Sequence, residues 1–374
     1  MKPVLPPAML GVLGGGQLGR FFARAAKRLG YRVAVLDPDR LAPAHREADL
    51  RLVARYDDPA ALARLARDCA AVTLELESVP VATLHTLAQH CLVAPAADAL
   101  AIAQDRLRAK RFLRAVGLPT APFVEVLAAT DATPAALYPA ILKTARNGYD
   151  GKGQIRVARP PMLASAWRAL GEQPCVLEKR IAWKRELSVI LARGCDGTMA
   201  IYSPVENRHR NGILELSRAP AEVPAPVAAR AVAAASLIAE SLEYVGVLAV
   251  EFFLDANELI VNEFAARPHN SGHYTLDACT TSQFEQQVRA LCGLPLGSTA
   301  LRSPAAMVNV LGDAWHRGEP RWRRVNAVPG ARLHLYGKAE ARPARKMGHV
   351  TVLASRPADA AQQAERVLAA ISNP

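Results

Sequence analysis

The sequence predicts an amino-terminal α/β domain with a parallel sheet, followed by an α+β body, on three observations. Residues 1–100 alternate short apolar runs with helix-period segments, the pattern of βαβ units. A Gly-rich turn joins the first apolar run to the first helical one. Beyond Pro119 the helices thin out, and alternating runs punctuated by Gly and Pro take over.

The elements follow in order. MLGVLG reads as a strand, GGGQLGRFFARAAKRLG as turn and helix, and YRVAVLD as a second strand ending at Asp37. DPAALARLARDC is a helix, AAVTLELE a strand and VPVATLHTLAQHC a helix. Residues 104–116 are an amphipathic helix stopped by Gly117 and Pro119. FVEVL and AILKTA are strands around the loop GYDGKGQ. CVLEKRI, ELSVILAR and MAIYSPVEN are strands, residues 216–228 a Pro/Ala-rich loop, and 226–243 an Ala-rich helix. VGVLAVEFFL and ELIVNEFA are strands joined by a DAN turn. AAMVNVLG, ARLHLYG and GHVTVLA are strands before a final helix.

Half of the 374 residues are hydrophobic, enough for a sizeable core. No apolar run reaches membrane-spanning length. The apolar start leads into glycines, so it reads as a strand and not a signal peptide. Six dispersed cysteines without a C-x-x-C pair fit a reduced, cytoplasmic protein. The net charge of +12 is scattered, which favours a solvated Arg-rich surface and anionic small molecules over nucleic acid. Only nine lysines stand against 37 arginines, and four of them, Lys143, Lys152, Lys338 and Lys346, fall in the segments singled out below.

Gly14-x-Gly16-x-x-Gly19, with Asp37 some 20 residues on, has the form of a dinucleotide fingerprint. The same turn suits another phosphate ligand, or no ligand at all. Lys143 precedes the loop Gly148-Tyr149-Asp150-Gly151-Lys152-Gly153. Three glycines there make a flap whose amides can close over phosphates, with Lys143 as a point charge. It is not a Walker A loop, since a strand follows it. The bland alternative is a hairpin with a Gly-rich turn. Glu251 and Glu263 end apolar runs on consecutive strands, where two carboxylates repel unless a divalent cation joins them. Mg²⁺ suits two carboxylates beside nucleotide phosphates, Mn²⁺ being the alternative ion, and Asn262 adds a neutral oxygen. The bland alternative is two edge-strand glutamates. Arg267, His269, Asn270, Ser271 and His273 crowd donors into seven residues, as an anion or polyol site does. A Ser nucleophile or a zinc site there lacks its usual companions.

Several strings together resemble the N5-carboxyaminoimidazole ribonucleotide synthetase family: LGGGQLGR, VTLELESVP, QDRLRAKRFL, LKTARNGYDGKGQ, SPVENRHRNGILELSRAPA, VEFF, VNEFAARPHNSGHYT, YGK and RKMGH. They occur in the family's order over nearly the whole chain. The resemblance implies an α/β and α+β, ATP-grasp architecture. Its parts would be a Rossmann-like amino-terminal domain (1–100), a central ATP-grasp domain (101–298, with a flap subdomain near 120–180) and a small β-rich carboxy-terminal domain (299–374). It implies ATP, bicarbonate and aminoimidazole ribonucleotide as substrates, and a cytoplasmic homodimer. Arg106, Lys143 and the loop from Gly148 through Tyr149, Asp150, Gly151, Lys152 and Gly153 to Gln154 would contact ATP. Glu178, Lys179, Arg180 and Ile181 would line the adenine, Glu186 would take the ribose, and His209 would lie near the phosphates. Glu251 and Glu263 would hold Mg²⁺, with Asn262 beside them. The ribonucleotide would use Gly14, Gly15, Gly16, Gln17, Glu75, Arg267, His269, Asn270, Ser271, Lys338 and Arg345. Tyr149, Asp150, Lys152, Arg267, His269, Lys338 and Arg345 would serve the chemistry. The sequence departs from the family at Leu74 (usually aromatic), Asn147 (usually Gly) and Ala266 (usually Pro).

Overall fold

A computed structural model describes residues 2–148, 152–256, 258–316 and 318–372. The amino-terminal apolar runs form five parallel strands in the order Leu50–Leu52, Arg32–Leu36, Met9–Leu13, Ala71–Leu74, Leu92–Val93. Met9–Leu13 is buried at every position because helices cover both faces of the sheet. The helix Gln17–Arg28 packs there against a helix from much later in the chain, Gln283–Leu291, with Phe21 5.0 Å from Phe284. Gln287 ties the two regions further, donating to Thr73 at 2.8 Å and accepting from the Val247 amide at 2.6 Å.

A four-stranded antiparallel sheet, in the order Phe123–Val126, Cys175–Lys179, Ala140–Thr144, Gln154–Val157, carries the second Gly-rich loop. The third sheet runs from Glu258–Ala265 through Gly246–Asp255, Arg185–Arg193, Val205–Arg210, Ile213–Ala219, Ala305–Leu311 and Lys346–Leu353 to Ala331–Leu335, with Met199–Ile201 beside Arg185–Arg193. The carboxy-terminal strands therefore extend the central sheet rather than forming one of their own.

The loop expected over 216–228 is corrected. Ile213–Ala219 is an interior strand, paired with Val205–Arg210 on one side and Ala305–Leu311 on the other. Long-range pairing overrides local composition here, since both backbone edges are satisfied by neighbours. The Pro-rich signal holds only from Pro220, and the helix begins at Ala225.

Candidate active site

The strands Gly246–Asp255 and Glu258–Ala265 run antiparallel with Glu251 directly opposite Glu263, and the register slips immediately beyond that pair. Directly opposed residues share a face, and such a bulge re-aims the side chains beside it. Burial, and then the Glu263 carboxylate, push the Glu251 carboxyl up to about 7. Glu251 faces His269 Nε2 at 3.2 Å, and Glu263 faces Arg106 Nη1 at 3.5 Å. Two hard oxygen ligands that repel each other make a donor set suited to Mg²⁺.

Arg106 also donates to the Gly148 carbonyl at 2.9 Å, so one guanidinium joins the foot of the flap to the glutamate strand. The far foot closes through Thr144 N to Gly153 O at 2.8 Å and through Lys143 paired with Gln154. Lys152 is exposed, while Tyr149, Asp150 and Gly151 lie outside the described residues. Asn147 takes φ +60, a left-handed conformation that Asn tolerates better than most residues, which accounts for its standing in a glycine's place.

Behind the flap, Glu178 lies between two lysines, with Lys143 Nζ at 2.9 Å and Lys110 Nζ at 3.4 Å. Burial alone would raise the Glu178 carboxyl; Lys143 and Lys110 outweigh it and hold it below its ordinary value. Burial lowers the Lys110 ammonium in turn. Two ammoniums against one carboxylate leave one positive charge in a poorly solvated place, which favours a phosphate. Sequence reasoning missed Lys110; its scarcity as one of nine lysines was the available signal. The amides of Lys179 and Arg180 donate to Pro122 O at 2.8 Å and Pro139 O at 2.9 Å. Both of these amides are therefore committed to backbone carbonyls within the protein.

Glu186 contacts His209 Nδ1 and accepts from Trp183 Nε1 at 2.8 Å, and Trp183 stacks on Phe253 at 4.1 Å. Burial works against protonation of His209, but Glu186 and Glu251 outweigh it and raise its pKa.

Arg267 Nε stands 3.7 Å from Glu77, and Glu77 also accepts from the Ala266 amide at 3.0 Å. Glu77, from the amino-terminal domain, was missed as well. Proline at 266 would have no N–H to give it. The side chains of Asn270 and Ser271, expected at the substrate, turn inward. Asn270 and Asn309 exchange two amide hydrogen bonds at 3.0 and 2.6 Å, and Ser271 is bonded to Ser188 at 2.8 Å. Both are buried, so they support the site from behind it.

The first Gly-rich turn needs a different correction. Gly15 N donates to Asp37 Oδ2 at 2.6 Å, Gly16 N to Glu75 Oε1, and Gly19 N to Glu75 Oε2 at 2.6 Å. Asp37 also accepts from Tyr56 and from the Asp39 amide, so it is not the ribose acceptor of a dinucleotide site. A phosphate brought to these amides would meet two carboxylates. The glycines are required by Glu75 itself: a Cβ on Gly16 would stand 2.6 Å from Glu75 Oε1. Nearby, Lys338, Arg342 and Arg345 line a cleft of about 230 Å³ with Asp39, Leu41, Pro43, Ala339 and Glu340, a net positive lining fit for a phosphate. Lys346, on the adjoining strand, adds a positive field felt by Glu251, His209 and His269.

A second group, Asp277, His334 and His349, brings ligand atoms within 4.8 Å of one another. The two imidazoles stack face to face, 4.6 Å apart and 13° from parallel, so their lone pairs run side by side and do not converge on an ion.

Residues 8–104 match the model of the ribonucleotide synthetase preATP-grasp domain, residues 111–284 the ATP-grasp domain, and residues 305–363 the phosphoribosylaminoimidazole carboxylase C-terminal domain. The N5-carboxyaminoimidazole ribonucleotide synthase of Brucella melitensis biotype 1 is 45% identical over 360 residues, covering 94% of this chain and 98% of that protein. This chain belongs to the N5-carboxyaminoimidazole ribonucleotide synthetase family of ATP-grasp enzymes. The Bacillus subtilis synthase is 42% identical over 94% of this chain and 92% of its own length. The crystal structure of a synthetase of this family with ADP superposes with a TM-score of 0.93 at 41% identity, covering 98% of each chain. The Aspergillus clavatus synthase in complex with ADP and 5-aminoimidazole ribonucleotide gives a TM-score of 0.88 at 32% identity, over 98% of this chain and 99% of that one.

Proposed function

We infer that this chain is an ATP-dependent ligase that carboxylates 5-aminoimidazole ribonucleotide to N5-carboxyaminoimidazole ribonucleotide, in purine biosynthesis. The observation that carries the reading is the opposed Glu251–Glu263 pair, joined through Arg106 to the Gly148 foot of the second Gly-rich loop, with the Lys110–Glu178–Lys143 cluster on the strands beside it. A bicarbonate oxygen attacks the γ-phosphorus of ATP, and ADP leaves. The carboxyphosphate so formed either releases CO₂ to the exocyclic amine or is attacked by that amine directly at carbon; in both cases phosphate departs and the amine gives up a proton.

The residues divide that work. Lys143, with the charge that Glu178 leaves over, binds the nucleotide phosphates. Arg106 fixes the flap to the site, so that closure excludes water from a labile intermediate. Glu251 and Glu263, with Asn262 beside them, would hold Mg²⁺, which when bound offsets charge on the transferred phosphoryl group. Arg267 and His269 face the bicarbonate side. Lys338 and Arg345, in the cleft beside Asp39, take the ribonucleotide's phosphate, and Glu75 takes its ribose hydroxyls. Tyr149, Asp150 and Lys152 serve the chemistry.

We further propose a homodimer of the cytoplasm, with domains 1–100, 101–298 and 299–374. None of the described helices is long and apolar enough to cross a membrane. Light scattering on the purified chain tests the dimer. The reaction is tested by ADP release, which is expected to require both bicarbonate and aminoimidazole ribonucleotide. Turnover with formate in place of bicarbonate would overturn it.

A further inference from the structure

His269 stands at the end of a buried hydrogen-bond chain that crosses three strands. Ser217 Oγ donates to Asn207 Oδ1 at 2.7 Å, Asn207 Nδ2 to Ser188 Oγ at 3.0 Å, and Ser188 Oγ to Ser271 Oγ at 2.8 Å. Ser271 Oγ lies 2.9 Å from His269 Nδ1, and His269 Nε2 lies 3.2 Å from Glu251. Ser188, Asn207, Ser217 and Ser271 are all buried. Polar groups removed from water cost free energy unless each finds a partner, so four in a row constitute a specific arrangement.

The chain has a direction, and a backbone amide sets it. The Ser271 N–H can only donate, and it points at His269 Nδ1 from 3.3 Å. Nδ1 is therefore a bare acceptor, and Ser271 Oγ must donate to it as well. Ser271 Oγ then accepts from Ser188, and Ser188 accepts from the Asn207 amide. That leaves Asn207 Oδ1 for the Ser217 hydroxyl, and each of the three hydroxyl protons is used once. Turning the Asn207 amide over would draw the Ser188 proton to Asn207 Oδ1 and leave none between Ser188 Oγ and Ser271 Oγ.

We propose that the Ser271 amide and the Ser271 hydroxyl, the latter held as a donor by this chain, together fix His269 in the tautomer with its proton on Nε2, and that Ser188, Asn207 and Ser217 are positioning residues for the carboxylation reaction. His269 then presents an N–H, not a lone pair, to the Glu251 side of the site. With Nδ1 a bare acceptor facing the Ser271 amide, the ring carries its proton on Nε2 alone and is neutral. A neutral N–H donor suits an oxygen of bicarbonate or carboxyphosphate, whereas a base on that face would not. The inference rests on the placement of Arg267 and His269 at the bicarbonate side.

The test is ¹⁵N NMR of the full chain with labelled imidazoles, the His269 signal being identified by its loss in His269→Gln. The wild-type protein is expected to show the Nε2–H tautomer alone. Ser188→Ala cuts the chain next to Ser271, and is expected to give a mixture of tautomers and a kcat about 10-fold lower, with the KM for ATP unchanged. A purely structural role would not move the tautomer ratio. An Nδ1–H signal in the wild type overturns the proposal, as does a folded Ser188→Ala protein with unchanged tautomer or unchanged kcat. If that variant does not fold, Ser217→Ala at the far end takes its place, with a smaller shift in the same direction expected. Failure of the functional reading is distinguishable: the wild type would then show the Nε2–H signal and no bicarbonate-dependent ADP release.

Discussion

The two glycine-rich segments, 14–19 and 148–153, differ in the charge that the fold brings to them. Asp37 and Glu75 occupy amides of the first, so its helix terminus is already neutralised from within the protein. The second is flanked by Lys143 and Arg106, with Lys110 and Lys143 outnumbering Glu178. Glycine permits a backbone to approach an anion, but the surrounding side chains decide which anion that is. In the first segment it is a carboxylate of the chain itself, and the glycines serve folding. In the second, the flanking charge is positive, of the sign that suits a phosphate.

The largest expected effect tests the second segment. Lys143→Met removes its excess charge, and kcat/KM for ATP should fall about 100-fold or more, measured by ADP release, while the fold survives. A change under about threefold would put the phosphates elsewhere. The first segment should respond in the opposite way. Gly14 sits at φ +106, and a Cβ there would stand 2.1 Å from Leu76 Cδ2. Gly14→Ala should cost about 3 kcal/mol in chemical denaturation. Gly148→Ala, with no contact closer than 3.1 Å, should cost less than about 1 kcal/mol. Equal losses at the two positions would erase the distinction.

A smaller effect should follow from Glu75→Gln. It replaces two acceptor oxygens with one and sets an NH₂ against a buried helix-terminal amide, and stability should drop by about 2 kcal/mol. An unchanged melting profile would show that the carboxylate is not what holds the turn.

The smallest effect is a pH dependence. The folded protein keeps the Glu251 proton up to about pH 7, whereas the ordinary carboxyl loses it near 4.5. Between those values the folded state binds more protons, so this group's contribution to stability falls as pH rises. Without divalent cation, the wild type should therefore lose more stability than Glu251→Gln between pH 4.5 and 7. Parallel curves would show that neither burial nor Glu263 raises the Glu251 carboxyl in the folded state.

Much of the site was legible because its residues lie in short strings. The strands Gly246–Asp255 and Glu258–Ala265 could be read from their apolar alternation, and a tight turn between them leaves little choice but to set Glu251 near Glu263. Lys143 and the two strands that flank the second Gly-rich loop were legible for the same reason. Glu77 and Lys110 were not. Each acts through partners far along the chain, Glu77 on residue 266 and Lys110 on residues 178 and 262. The strand Ile213–Ala219 was hidden by its Pro/Ala-rich neighbours, because the strands that pair with it on either side, and not its composition, make it a strand.

The sequence by itself determined the alternation of strand and helix, the glycines of both turns, and the two glutamates on adjacent strands. These follow from local sterics and from hydrophobic periods that a linear chain displays. Only the tertiary structure decided which anion each turn meets, where the protons of His269 lie, and that the carboxy-terminal strands continue the central sheet. Those outcomes depend on charges and hydrogen bonds between residues distant in sequence, and their strength is set by burial, which exists only once the chain has folded.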